Sequence, residues 1–274
     1  MKKLLIVLCS LLLLVAAVAA VLVWNGQLSF VHPLKTPQDG QIRVACVGDS
    51  VTYGFGIGNR GKYNYPAQLQ QLLGDDYCVN NYGYSGRTVS DSGDRPYRAE
   101  KLYRKLLSFQ PQIIILMLGS NDSKPFNWDP DAVRKSYNAL LDDLSALESA
   151  PQIWVVTPTP VFPVNGTVKY HIDGDVIHKE LVPMTLGIAT GRGLKILDMH
   201  TVFAGRDDLF SDGCHPNRDG AKLFAETVFA SIQSTVNSRQ STVNSYGCSR
   251  KKKQASTPAR LYKGLKRGSR DEAW

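Results

Sequence analysis

A serine early in the chain and an acid and histidine pair much later could together hydrolyse an ester. Ser50 follows an apolar, β-rich run, and His215 lies three residues after Asp212 with a glycine between them. A serine hydroxyl is a weak nucleophile at neutral pH, so it needs a base within hydrogen-bond reach and a third group that orients the base. The glycine lets the loop turn so that the Asp212 carboxylate meets one imidazole nitrogen while the other faces Ser50. The sequence therefore predicts nucleophilic catalysis by Ser50, His215 and Asp212.

Attack on an ester carbonyl would also need hydrogen-bond donors for the negative charge that develops on oxygen. The candidates are the backbone N–H of Ser50, the backbone N–H of Gly86 and the side-chain amide of Asn121. Gly86 lies in a turn-rich segment after a short predicted strand, and Asn121 follows an unbroken apolar run. Because open α/β sheets bind ligands beyond the carboxyl ends of their strands, we expect these donors to lie near Ser50.

Strand and helix patterns alternate five times along the chain. This alternation predicts an α/β fold with a parallel sheet and helices on both faces. The predicted strands are 42–47, 77–80, 113–118, 153–157 and 195–198. The predicted helices are 65–73, 99–109, 129–149, 176–190 with a kink at Pro183, and a last one from 216 or 219 to 232.

Other polar clusters suggest different chemistry. Asp198 and His200 are a second acid and histidine pair after a strand, but nothing else in the sequence accompanies them, and a structural role for Asp198 is favoured. Another four residues could be drawn as a metal cluster, although their irregular spacing in a loop is more typical of a solvated face. They are His171, Asp173, Asp175 and His178. No metal or cofactor is predicted.

A glycine-rich loop and the cysteines suggest two further kinds of site. Residues 56–62 match the letters of dinucleotide- and phosphate-binding loops, but no strand immediately precedes them and Tyr63 replaces the required Ser or Thr. A surface loop is therefore favoured over a nucleotide site. Cys214 is expected to be a small buried residue rather than a nucleophile. The cysteine spacing suits no metal site, and it allows a disulfide among Cys46, Cys78 and Cys214 without implying one.

The two ends of the chain differ from its middle. Met1-Lys2-Lys3 precedes an apolar run, residues 4–24, which is typical of an export signal and also long enough for a membrane anchor. The protein is thus expected to be exported, whether periplasmic, secreted or membrane-anchored. We predict a signal peptide or anchor at 1–24, a linker at 25–41, a catalytic domain at 42–235 and a disordered basic tail at 236–274.

The formal net charge of +8 comes from the end of the chain. Residues 239–274 hold ten of the 32 Lys and Arg residues and two of the 24 Asp and Glu residues, so the remainder carries 22 of each. A neutral body gives no support for a basic groove, and no nucleic-acid partner is predicted.

Four short blocks, in this order, resemble those of the SGNH (GDSL-type) hydrolases over about residues 42–235. They are Gly48-Asp49-Ser50, Ser85-Gly86, Gly119-x-Asn121-Asp122 and Asp212-x-x-His215, with Val51 where the family name expects Leu. The resemblance implies a flavodoxin-like three-layer sandwich with a five-stranded parallel sheet. It also implies that Ser50 is the nucleophile, His215 the base and Asp212 its orienting acid. Ser50, Gly86 and Asn121 would form the oxyanion hole, without a cofactor.

Further segments are similar to bacterial carbohydrate O-acetylesterases, including sialate O-acetylesterases: residues 65–69, 127–128 and 212–216. We therefore expect a serine esterase that removes acetyl groups from a sugar, with Trp128 and Tyr53 as a stacking surface. An acetylated glycan or another small ester would be the substrate. The alternatives are a lipid-directed esterase (lysophospholipase) or thioesterase, and a catalytically inactive glycan-binding module. The sequence does not indicate an oligomeric state.

Overall fold

A five-stranded, all-parallel sheet lies at the centre of the fold. The structure is a computed structural model that describes residues 2–24 and 33–235. The strands are β1 (Ile42–Gly48), β2 (Tyr77–Gly83), β3 (Ile113–Met117), β4 (Gln152–Val156) and β5 (Lys195–Leu197). Their order in the sheet is β2-β1-β3-β4-β5. This is the flavodoxin-like order, so the predicted fold class is confirmed.

Helices connect the strands, as parallel neighbours require. The helices of the described residues are α1 (Lys2–Trp24), α2 (Ser50–Tyr53), α3 (Arg60–Tyr63), α4 (Tyr65–Leu73), α5 (Lys101–Phe109), α6 (Pro130–Ser145), α7 (Gly174–Val176), α8 (Val182–Gly191), α9 (Met199–Val202) and α10 (218–235); α1 precedes the sheet, and α9 and α10 follow it. Short 3₁₀ turns lie at Tyr97–Ala99, Lys169–His171 and Asp207–Leu209. All five strands belong to one compact unit of the chain, which ends at residue 229.

The core forms on both faces of the sheet. Every residue of β3 is buried, which explains its unbroken apolar sequence. On one face, Leu106 of α5 and Tyr137 of α6 belong to the main buried cluster. Elsewhere, Tyr65 of α4 stacks on Phe224 of α10 with ring centroids 4.1 Å apart.

Strand β2 is longer than its sequence suggests. The prediction ended it at Asn80, because the asparagines and glycines that follow are typical of turns. In the structure, the Asn80 side chain exchanges hydrogen bonds with the Lys35 backbone at 2.8 and 3.0 Å, and Asn81 donates to the Thr52 carbonyl at 2.8 Å. These bonds satisfy the buried amides, so the strand continues to Gly83. They also tie the described part of the predicted linker, residues 33–41, to the sheet.

Two helices differ from their predicted bounds. Asp129 caps α6 by accepting from the Asp131 and Ala132 N–H groups, but the helix ends at Ser145 rather than near residue 149. The predicted helix with a kink at Pro183 is a continuous helical stretch containing a π-helical segment, Ile177–Leu181. Wider π-type bonding just before the proline accommodates its missing N–H and its ring.

The predicted amino-terminal export segment is helical, as α1. Within the described part of the chain, no helix is identified as long and apolar enough to cross a membrane. The role of residues 1–24, as a cleaved signal peptide or a retained anchor, stays a prediction. The basic tail, residues 236–274, lies outside the described residues, as do residues 25–32 of the predicted linker.

Candidate active site

The structure brings Ser50, His215 and Asp212 together. Ser50 is the first residue of α2, directly beyond the carboxyl end of β1. Its Oγ lies 2.9 Å from His215 Nε2, and His215 Nδ1 lies 2.9 Å from Asp212 Oδ2. The imidazole therefore lies between the alcohol and the carboxylate. The His215 side chain is 9% exposed and the Asp212 side chain 14%, so solvent competes little with these contacts.

The position of Ser50 depends on close packing at the ends of β1 and β2. Asp49 is buried and caps α2, accepting a hydrogen bond of 3.1 Å from the Val51 N–H. Gly83, the last residue of β2, lies against the α2 backbone so closely that a Cβ there would overlap Tyr53 N. The glycine thus lets the helix that begins with Ser50 lie directly on the strand end.

The Asp212–His215 turn is fixed by its own backbone. Asp212 Oδ1 accepts the N–H groups of Cys214 at 3.0 Å and His215 at 2.8 Å, which leaves Oδ2 for the imidazole. Gly213 has φ +82°, and a Cβ at this position would overlap the Phe162 carbonyl oxygen. A glycine is required for both reasons. The turn that the sequence predicted between the acid and the histidine is present.

Two aromatic residues that sequence reasoning missed surround the imidazole. Tyr170 donates a hydrogen bond of 2.8 Å to Asp212 Oδ2, the oxygen that also binds His215. The Tyr170 and Phe55 rings lie 5.2 and 4.7 Å from the His215 ring. Tyr170 and His171 both have positive φ, 64° and 60°, which is unfavourable for residues other than glycine. The loop sequence gave no indication beyond an aromatic residue among prolines and glycines.

The contacts of Asp212 determine its charge. Burial would raise its pKa, but the hydrogen bond and charge interaction with His215 and two backbone N–H groups hold the pKa well below its usual range. Burial, together with the bond to Asp212, raises the pKa of Tyr170 to about 12, so its hydroxyl remains a donor. Burial and the neighbouring Asp212 raise the pKa of Cys214 to about 11. Cys214 is therefore a thiol at neutral pH and a poor nucleophile.

The three predicted oxyanion donors line the same cleft as Ser50 Oγ. Within the described residues, the backbone N–H groups of Ser50 and Gly86 donate to no protein acceptor. The Asn121 amide nitrogen is different, because it donates to the Arg87 carbonyl at 3.2 Å and to Asp49 Oδ2 at 3.4 Å. Both bonds are long, so the amide could turn toward a bound oxygen by giving up one of them.

Asp122, beside Asn121, holds the neighbouring loop in place. It is fully buried and accepts the backbone N–H groups of Val89 at 2.9 Å and Ser90 at 2.8 Å. Burial raises the pKa of its carboxyl to about 7, and the nearby Asp49 adds to the shift. Its role is to fix the segment that follows Gly86.

The prediction that Tyr53 forms part of a sugar-stacking surface is wrong. This ring is completely buried, and the Arg60 guanidinium lies 3.6 Å from its centroid, so no sugar can reach it. Trp128 is partly buried, packs against the core cluster and does not line the cleft. The cleft, of about 340 Å³, is lined instead by aromatic and cationic residues. They are Phe55, Tyr84 and Tyr170 together with Arg87, Arg95 and Lys124.

The rival acid and histidine residues make different contacts. Asp198 caps α9 and accepts hydrogen bonds from Thr157 and Thr201. His200 turns to His178, with 3.0 Å between His178 Nδ1 and His200 Nε2. Among residues 2–24 and 33–235, no group of three or more His, Cys, Asp or Glu residues could hold a metal ion. The four described cysteines, including Cys46 and Cys78, are free.

This arrangement has the parts needed for acyl transfer. A hydroxyl faces a base, the base is oriented by a carboxylate that stays ionised, and two residues with unengaged N–H groups line the same cleft. Ser50 and Gly86 follow the carboxyl ends of β1 and β2, and His215 and Asp212, which come after β5 in the chain, meet Ser50 there.

Known proteins resemble this chain in sequence and in fold. Residues 46–223 match the GDSL-like Lipase/Acylhydrolase family. An acetylxylan esterase of Xylanibacter ruminicola is 38% identical over 224 residues, which are 75% of this chain and 46% of that protein. The chain thus spans about half the length of this curated relative.

Solved structures show the same fold. The carbohydrate acetylesterase Est24 of Sinorhizobium meliloti is 21% identical and superimposes with a TM-score of 0.57, covering 71% of this chain and all of that one. A putative arylesterase of Agrobacterium tumefaciens is also 21% identical, with a TM-score of 0.58, covering 71% of this chain and 99% of that one. At this identity the likeness establishes the fold alone.

Proposed function

The chain belongs to the GDSL-like Lipase/Acylhydrolase family, and on this premise we propose that it is a serine esterase that removes acetyl groups from the hydroxyls of a carbohydrate. The observation that carries the proposal is the hydrogen-bonded line from Ser50 Oγ through His215 to Asp212, with 2.9 Å at each step. The same contacts favour an enzyme over a catalytically inactive glycan-binding module, because such a module would not need an oriented base.

The reaction proceeds in two half-reactions. Ser50 Oγ attacks the acetyl carbonyl carbon while His215 Nε2 takes the hydroxyl proton. The Ser50 and Gly86 N–H groups, and the Asn121 amide once it turns, stabilise the oxyanion. The bond to the sugar oxygen then breaks, and His215 donates its proton to that oxygen, which leaves acetyl-Ser50. Water attacks this ester with His215 again as base, releasing acetate and restoring Ser50.

Asp212 orients and stabilises the protonated imidazole without taking its proton. Its oxygens divide this work, because Oδ1 binds the two backbone N–H groups while Oδ2 faces the imidazole. The low pKa of the carboxyl supports this role, since a strongly acidic group remains ionised throughout the cycle.

The cleft favours a short acyl group on a polar alcohol. Its volume is about 340 Å³, and its lining mixes Phe55 and Tyr170 with Ser85 and three cationic side chains. A long acyl chain would need an extended apolar groove, so a lipid-directed esterase or thioesterase fits less well. Comparing acetyl with octanoyl p-nitrophenyl esters separates the two hypotheses, because a lipid esterase would prefer octanoyl.

The comparisons support a glycan as the alcohol. The X. ruminicola relative is named an acetylxylan esterase, and the S. meliloti structure is described as a carbohydrate acetylesterase. Acetate release from acetylated sialosides, xylans and pectins is the experiment that tests the proposal. Release from at least one of these by the wild type, and from none by Ser50→Ala, is expected. Equal release by the Ser50→Ala variant would contradict it.

We also propose that the protein is exported, because a charged start precedes the apolar helix α1. Fractionation of cells that produce the full chain tests this step. Esterase activity should appear outside the cytoplasm, and deletion of residues 1–24 should keep it inside. Export that is unaffected by the deletion would contradict the proposal.

A further inference from the structure

The charged side chains that line the cleft around Ser50 are all cationic. Three of its lining residues are cationic, Arg87, Arg95 and Lys124, whereas the lining contains no Asp or Glu. The body of the protein carries equal numbers of basic and acidic residues, so this bias is local to the cleft. A local excess of one sign beside a reacting centre favours ligands of the opposite sign.

One of the three cations is already neutralised. Arg87 binds Glu100 with nitrogen–oxygen distances of 2.6 and 2.9 Å, donates to the Ser85 carbonyl, and lies 3.4 Å from the centroid of the Tyr84 ring. Its donors are thus committed to holding the loop, and it is a structural residue of the cleft wall.

The other two cations have no close acidic partner. Arg95 is 63% exposed, and its nearest described carboxylate, Asp94, is 4.0 Å away, at the limit of an ion pair. Across the described residues, no carboxylate oxygen lies within 4.0 Å of Lys124 Nζ. Burial raises the pKa of the Asp49 carboxyl, and the charge of Lys124 opposes this shift only in small part. Both charges are therefore available to a ligand in the cleft.

Arg95 lies close to the reacting centre. Its Nη1 is 3.4 Å from the position that a Cβ on Gly86 would occupy. Gly86 carries one of the two unengaged N–H groups that face the substrate carbonyl in the proposed mechanism. A group bound by Arg95 would therefore be a near neighbour of the ester, on the same sugar ring or the next one.

We propose that the substrate is an O-acetylated sugar acid, and that Arg95 and Lys124 bind its ring carboxylate. The inference rests on the proposed esterase function and specifies its substrate class. A guanidinium matches a carboxylate with two parallel hydrogen bonds, whereas the lysine contributes a point charge. Neutral acetylated sugars would lack this interaction and bind less well.

The test compares two substrates, one with a charged carboxylate and one in which a methyl group removes that charge. They are the per-O-acetylated methyl glucuronoside as the free acid and as its methyl ester. The initial rate of acetate release gives kcat/KM for each. Because two partly exposed ion pairs each contribute roughly three- to fivefold, we expect the wild type to prefer the acid by about tenfold. Raising the salt concentration to 0.5 M should reduce the preference by screening.

Matched variants assign the preference to residues. Arg95→Gln and Lys124→Gln should each lower the acid-to-ester ratio about threefold, and the double variant should bring it near one. Arg134→Gln and Lys135→Gln alter exposed cations of α6 outside the cleft and should leave the ratio unchanged. The ratio removes any general effect on folding or turnover.

Two outcomes would overturn the inference: a wild type that hydrolyses the ester as well as the acid, or a preference that survives in the double variant. Hydrolysis of the neutral p-nitrophenyl acetate and its dependence on Ser50 are measured alongside. If that activity is present while the preference is absent, the substrate class is wrong and the esterase proposal stands. If that activity is absent, the esterase proposal itself fails.

Discussion

Replacing Tyr170 with phenylalanine tests whether the aromatic loop positions the acid. The change deletes the hydroxyl that donates to Asp212 Oδ2 at 2.8 Å and keeps the ring that packs on His215. A buried hydrogen bond to a charged group contributes about 1.5–3 kcal/mol. Tyr170 is 45% exposed, so water can partly replace the hydroxyl. We therefore expect a loss of about 1 kcal/mol, or roughly a fivefold lower kcat.

The assay is steady-state hydrolysis of p-nitrophenyl acetate, with kcat and KM separated. A positioning role lowers kcat, whereas a direct contact with substrate would raise KM alone. Tyr77→Phe is the matched control, because Tyr77 is the first residue of β2 and lies at the amino ends of the strands, whereas Ser50 follows a carboxyl end. It should leave both parameters within about twofold of the wild type.

A double-mutant cycle makes the test specific. If Tyr170 acts through the Asp212 carboxylate, Tyr170→Phe should change kcat less than about twofold in an Asp212→Asn background, where the charged acceptor is already absent. An unchanged kcat in the single variant would refute the reasoning. A full fivefold effect in the Asp212→Asn background would refute it as well.

Three further outcomes are expected. Gly213→Ala should lower kcat for p-nitrophenyl acetate at least tenfold more than Gly205→Ala does. Both glycines have positive φ, but only a Cβ at position 213 would overlap a neighbouring atom. Equal effects of the two substitutions on kcat would contradict this expectation. Asp122→Ala should lower the free energy of unfolding, measured in urea, by about 2–4 kcal/mol, because two buried N–H groups lose their acceptor. A decrease of less than about 1 kcal/mol would contradict this role of Asp122. Burial lowers the pKa of His200 from 6.5, so its contribution to stability is present above about pH 6.5 and is lost as the pH falls below it. The stability difference between pH 7.5 and pH 5.5 should therefore shrink in His200→Gln, and an unchanged difference would show that His200 is not responsible.

The sheet and the three central residues could be predicted because their patterns are local. Apolar runs predict the strands, and a polar block after a run marks the edge where ligands bind. The glycine between Asp212 and His215 indicates a tight turn from its residue type alone. In each case, a few neighbouring residues contain the information.

Features that depend on distant contacts could not be predicted in this way. Strand β2 continues through Asn80 and Asn81 only because Lys35 and Thr52 satisfy their amides. Tyr53 follows Ser50 by three residues, so the sequence suggests that it can reach a sugar. In the structure, α2 packs onto β2 and Tyr53 is buried.

The role of Tyr170 was missed for a related reason. Its hydroxyl reaches Asp212 because the loop adopts a left-handed backbone at residues 170 and 171, a conformation that the residue types do not favour. The position of Arg95 beside Gly86 likewise depends on how the loop folds back on itself.

The most direct test of the central claim is to trap the acyl-enzyme. The protein is mixed with p-nitrophenyl acetate, quenched in acid within the first turnovers and digested for mass spectrometry. The account predicts an acetyl group on the peptide that contains Ser50, at the hydroxyl of that residue, and its absence from Ser50→Ala. An acetyl group on another residue, or turnover by Ser50→Ala at the wild-type rate, would contradict it.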